Sequence, residues 1–133
     1  MVARKAEVEA MKLGDAGMTD RGRDVVRRIG FATTEADVES ITLEVEWAKA
    51  MATKFTLADE FGMLRALGMN PALRLLVREK HLKQACQLAV DEAQYVDALE
   101  VITCSYRLRP NDDKRGIVAQ LQRILGISRK APS

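Results

Sequence analysis

The chain predicts an all-α fold of five to seven helices, arranged as antiparallel helical hairpins. Three observations predict it. Apolar residues recur every three or four positions rather than every two. Aromatics make up only 5% of the 133 residues, while Ala, Leu, Met, Glu, Lys and Arg are abundant. Pro occurs only at positions 71, 110 and 132, so long stretches are free of helix breakers.

The elements follow in order. Residues 2–13 (VARKAEVEAMKL) read as a short helix with a narrow apolar edge at Val8 and Met11, ended by Gly14 and Gly17. Residues 19–30 (TDRGRDVVRRIG) read as a second, with Thr19 or Asp20 as its cap, Gly22 as a weak point and Gly30 at its close. Few large apolar residues occur here, so 1–30 is expected to be a peripheral N-terminal helical arm. The helical core domain is expected over 31–127, and a flexible tail over 128–133.

The strongest periodicity comes next. Val38, Ile41, Val45, Ala48, Ala52 and Phe55 alternate spacings of three and four, an a/d stripe. Thr34 and Asp37 form an N-cap pair, acids fill the first turns, and Lys49 and Lys54 lie toward the end, as the helix dipole favours. Leu43, Trp47 and Met51 add a second apolar row at spacing four. Such a helix is either buried on both sides at the centre of the fold, or turns its second face to a partner.

Thr56 caps a helix over 57–67 with Leu57, Phe61, Leu64 and Leu67 along one face, stopped by Gly68. Asn70 followed by Pro71 reads as a cap and first helical position. No Gly or Pro lies between 72 and 109, so breaks are placed near 79–81 and 92–94; without the first, 71–92 is one helix. A helix over 95–107 carries Tyr95, Ala98, Leu99, Ile102 and Tyr106 on one face. Another, over 112–125, carries Ile117, Val118, Leu121, Ile124 and Leu125, with Gly126 at its C-terminal boundary.

Composition narrows function. With 47% apolar and 30% charged residues the chain resembles ordinary globular proteins, and no stretch approaches the ~18 uncharged apolar residues of a membrane span. Net charge is only +2, but its distribution is uneven. Residues 31–60 hold seven acids against two bases, a balance of −5, and residues 61–90 hold five bases against one acid, a balance of +4. These segments are either two solvated faces that attract each other or a docking surface. One His and two Cys leave no room for a metal cluster or disulfide framework. Cys86 and Cys104 read as free thiols in apolar helical settings.

No catalytic constellation emerges. His81 and Cys86 have poor ligand spacing. Asp59, Glu60 and Glu92 offer carboxylates, but the sequence places no His or Lys to make a base or nucleophile with them. A calcium loop from Asn111, through Asp113 and Gly116, fails on Arg115 and Gln122 at ligand positions. A helix-turn-helix over 56–78 would present Arg74, Arg78, Lys80 and Lys83 to nucleic acid, but Leu73, Leu75, Leu76 and Val77 leave that helix little polar surface.

Residues 79–112 resemble one tetratricopeptide repeat, a helix-turn-helix of about 34 residues. Leu82, Cys86, Tyr95, Ala98, Ile102, Ser105 and Pro110 match its large, small and proline positions, while Ala85 and Ala89 stand where it has larger residues. The resemblance implies hairpins stacked in a right-handed arrangement. A second resemblance is to the subunit Va type of cytochrome c oxidase accessory subunits, through Leu64-Arg65, Ala85-Cys86, Tyr95 and Leu125-Gly126-Ile127-Ser128. It implies a non-catalytic subunit on the matrix side of a mitochondrial respiratory complex; without it the expected location is cytoplasmic.

The sequence therefore reads as a non-catalytic helical scaffold or accessory subunit without cofactor, metal or catalytic residues. Its expected partners are other protein subunits of a larger complex rather than nucleic acid. Leu43, Trp47, Met51, Arg74 and Arg78 are the expected partner-binding residues, because Trp and Arg commonly anchor interfaces. The alternative is a helix-turn-helix-like nucleic-acid-binding protein.

Overall fold

A computed structural model describes residues 13–127. The expected helix over 2–13, apart from Leu13, and the tail 128–133 lie outside the described residues. A 3₁₀ turn at Asp15–Gly17 leads into six α-helices: α1 (Asp20–Phe31), α2 (Glu35–Ala50), α3 (Leu57–Met69), α4 (Leu75–Asp91), α5 (Tyr95–Leu108) and α6 (Asp112–Leu125). The described residues contain no strand, so the chain is all-α.

Capping fixes most helix starts. Thr19, Thr34, Thr56 and Asn111 each accept a backbone N–H three residues on, from Gly22, Asp37, Asp59 and Lys114. The choice between Thr19 and Asp20 falls to Thr19. At α3 the box is reciprocal, since the Thr56 N–H donates to the Asp59 carboxylate at 2.9 Å.

Asp59 does more than cap α3. It is fully buried, and its carboxylate also accepts from the Thr19 N–H at 2.9 Å and the Thr19 hydroxyl at 2.8 Å. Three donors at two helix N-termini thus converge on one buried charge, and each N-terminus adds its positive dipole end. Gly22, expected as a weak point, permits this closeness: a Cβ there would overlap the Asp59 carboxylate.

Two apolar clusters form the core. One gathers α4, α5 and α6 around Leu82, Ala85, Cys86, Ala89, Ala98, Val101, Ile102 and Leu121, with Leu13 and Phe61. The other gathers Val25 and Ile29 of α1, Val38, Ile41 and Val45 of α2, and Met63 and Leu67 of α3. The helix buried on both sides is therefore α3, which feeds both clusters, and not α2. Its neighbours α1 and α4 pack broadly against it; α4 then packs on α5 and α5 on α6, while α2 makes a smaller contact with α1. The described part of the N-terminal segment contributes Val25 and Ile29 to the core rather than lying wholly at the edge.

Several boundaries differ from expectation, each for a local reason. Helix α2 stops at Ala50 because Ala52 turns left-handed at φ 71°, and the Thr53 N–H closes on the Ala48 carbonyl at 2.9 Å. The stripe thus loses Ala52 and Phe55. Helix α1 passes Gly30 and ends at Phe31. Helix α3 passes Gly68, whose missing Cβ lets Leu82 of α4 approach.

Asn70 does not cap α4. Its buried amide Nδ2 donates to the carbonyls of Ile29 at 2.8 Å and Ala32 at 3.0 Å, and its Oδ1 accepts from the Ala72 N–H at 2.7 Å. It ties the end of α1 to the α3–α4 turn, so Pro71 lies in a turn and α4 starts later, at Leu75. From there α4 runs unbroken through 79–81, where Glu79 and Leu82 are both buried. The break at 92–94 is real: Ala93 adopts φ 56°, and the Gln94 N–H reaches the Ala89 carbonyl at 2.8 Å.

Gly22→Ala is expected to destabilise the protein by about 2 kcal/mol through overpacking against Asp59. Gly30→Ala, in the same helix with open space around it, is expected to be neutral or to stabilise by up to about 1 kcal/mol. Urea unfolding of both variants checks the opposite signs.

Candidate functional site

Two surfaces stand out, a ridge on α2 and a groove across α4, α5 and α6. The ridge follows from one-sided burial. Val38, Ile41, Val45 and Ala48 face the core, and helical spacing then turns Leu43, Trp47 and Met51 outward. They are 63%, 68% and 65% exposed, and successive side chains stack one turn apart. Glu39 and Glu46 border the row on one side. Both are exposed and form no ion pair among the described residues. Glu44 borders the other side and binds Arg28 of α1 at 2.6 Å, which holds its carboxyl below the usual range.

The groove has a volume of about 740 Å³. Its floor is the buried pair Ile102 and Ser105 of α5, and its walls include Leu76 of α4 and Ile117 of α6, which are 68% and 40% exposed. Lys80 and Lys83 stand along the α4 side, exposed and without an ion pair among the described residues.

Beneath one end lies an ion cluster. Glu79 accepts from Lys114 Nζ at 2.6 Å and from Arg109 Nε at 2.8 Å. Lys114 Nζ, buried, also donates to the carbonyls of Ser105 at 3.1 Å and Arg109 at 2.8 Å, satisfying the C-terminal end of α5. The Lys114 hydrogen bond, helped by Arg109, holds the Glu79 carboxyl below its ordinary value, although burial pushes the other way. The cluster joins α4, α5 and α6, so its charges are spent within the fold.

The other expected residues separate. Arg78 turns back onto α3, its Nε donating to the Gly68 carbonyl at 2.9 Å, so it caps a helix end. Arg74 is exposed at the N-cap of α4, a helix that does not pack against α2. The structure thus keeps Leu43, Trp47 and Met51 together and places both arginines elsewhere. Sequence reading missed the groove, and only Lys80 and Lys83 beside Leu76 signalled it.

Asp59, His81 and Cys86 line neither the ridge nor the groove. Asp59 is consumed by backbone and hydroxyl donors. His81 is half-buried, its pKa lowered by that burial, and its Nδ1 finds no hydrogen-bond partner. Burial raises the Cys86 thiol. No group of three or more His, Cys, Asp or Glu among the described residues is placed to hold a metal ion, and none of the described helices is long and apolar enough to cross a membrane. Family models, curated proteins and solved structures were compared with the chain, and none matches.

Glu79→Gln is expected to cost about 3 kcal/mol at neutral pH, because Lys114 keeps its buried charge without a carboxylate. Since the folded-state pKa of Glu79 is depressed, its contribution is present above its ordinary value of 4.5 and is lost as pH falls through the lower folded value. The stability gap between wild type and variant should therefore be constant well above pH 4.5 and shrink as pH falls below it, as urea unfolding across the acid range would show.

Proposed function

We propose that the protein is a non-catalytic helical scaffold or accessory subunit that docks onto another protein chain through the α2 ridge. The observation that carries this reading is the row Leu43–Trp47–Met51. Three large apolar side chains, each about two-thirds exposed, line one helix face whose opposite face is fully used by the core. Contiguous apolar surface of this kind marks contact sites, and Trp is among the commonest anchors.

The α4–α5 hairpin supports tetratricopeptide-like packing. Its small residues Cys86, Ala98 and Ser105 are buried, Tyr95 packs against the cluster, and Pro110 follows the end of α5. Stacked hairpins of this type serve as binding platforms rather than reaction vessels. The sequence likeness to a respiratory-chain subunit supplies the accessory role alone, without a particular host complex.

Trp47→Ala is expected to weaken capture of the bound protein by at least about thirtyfold, the size of a hot-spot truncation. Val96→Ala, at an equally exposed apolar residue of α5, should leave capture unchanged. Quantitative mass spectrometry of proteins retained by the tagged chain and its two variants checks this. Equal retention by the Trp47 variant would contradict the reading.

A further inference from the structure

We propose that the α4–α6 groove receives the α2 ridge of a second copy of this chain, so that the protein assembles head to tail. The inference rests on the reading of the ridge as a docking face, and names its partner. The argument is charge and shape complementarity between two surfaces of one molecule. The ridge is apolar along its crest and carries on one flank two carboxylates, Glu39 and Glu46, that form no ion pair among the described residues. The groove exposes Leu76 and Ile117 above Ile102 and Ser105, carries Lys80 and Lys83 on its α4 side without an ion pair among the described residues, and has one exposed acid, Asp113, on its α6 side.

The two do not meet within one chain, because α2 packs chiefly on α1 and has no substantial contact with α4, α5 or α6. In a second copy they can. The row from Leu43 to Met51 spans about 12 Å at 1.5 Å per residue, a continuous crest rather than a point contact. Burying it against Leu76 and Ile117 removes five exposed apolar side chains from water, while the carboxylates and ammonium groups set the direction of approach.

Such a contact is heterologous: an open assembly of any length still offers one free ridge at one end and one free groove at the other. Assembly therefore continues past the dimer, as an open chain or a closed ring. It is also screened by salt, because the charged flank remains at the rim.

Charge reversal with rescue tests the proposal. The wild type, Glu39→Lys/Glu46→Lys, Lys80→Glu/Lys83→Glu and an equal mixture of the two variants are compared by sedimentation velocity, from micromolar to millimolar concentration. All four positions are exposed and free of internal ion pairs, so helicity by circular dichroism should match the wild type. The wild type is expected to exceed dimer mass as concentration rises. Each variant alone should associate about a hundredfold more weakly, the effect of facing like charges. The mixture should recover the wild-type behaviour, since each altered surface then meets its opposite.

A monomeric wild type at every concentration, association indifferent to both reversals, or a mixture that fails to recover would each overturn the proposal. If a reversal alters helicity, Glu39→Gln/Glu46→Gln replaces it and must weaken association; unchanged association overturns the idea equally. A monomeric wild type that still retains a different protein through Trp47 would end self-assembly while leaving the docking role of the ridge standing.

Discussion

The architecture depends on a buried carboxylate. Asp59 sits at zero exposure where the N-termini of α1 and α3 meet, and the donors of Thr19 and Thr56 replace the water it has lost. A buried charge is tolerated only when such partners surround it, so the two helices have one acceptable mutual placement. Gly22 supplies the clearance. With α1 and α3 so held, the slot between them is defined, and α2 can use it with one face only. Val38, Ile41 and Val45 fill that face, and helical spacing turns Trp47 outward.

The other half of the molecule is fastened by a different device. Glu79, Lys114 and Arg109 draw the end of α5 onto α4 and α6, and Lys114 satisfies two terminal carbonyls at the same time. Because this cluster consumes its own charges, the charges lining the groove without an ion pair among the described residues are Lys80 and Lys83 on the outer side of α4 and Asp113 of α6. Beside them Leu76 and Ile117 stay partly uncovered. One half of the molecule thus carries an apolar ridge flanked by acids, and the other a groove with partly exposed Leu76 and Ile117 beside two lysines.

Much of this was legible in the sequence where the determinant is local. Thr34 and Thr56 announce their helices because a short oxygen-bearing side chain before an amphipathic run has one good use. The limits of α6 followed from its periodicity between Pro110 and Gly126, and the α4–α5 turn fell at the expected break near 92–94. What escaped reading was non-local. Ala52 and Ala93 enter the left-handed region without glycine, since closing the helix ends outweighs a modest backbone cost. Asn70 has the look of a cap, yet its amide is taken by carbonyls some forty residues earlier in the chain. Arg78 reads as a surface anchor but is claimed by the end of α3. The ridge residues were legible because a second apolar row at spacing four has few structural uses once the first row is buried; the groove was not, because it needs three helices to exist.

Trp47 is the sole tryptophan, so its fluorescence reports on the ridge without labelling. The most direct measurement is its emission maximum and iodide quenching at high dilution and then at rising protein concentration. The account predicts a red-shifted, readily quenched indole in the dilute chain that shifts to the blue and becomes protected as chains associate. A blue-shifted, protected indole at the greatest dilution, or one that stays exposed at every concentration and with every partner, would contradict it.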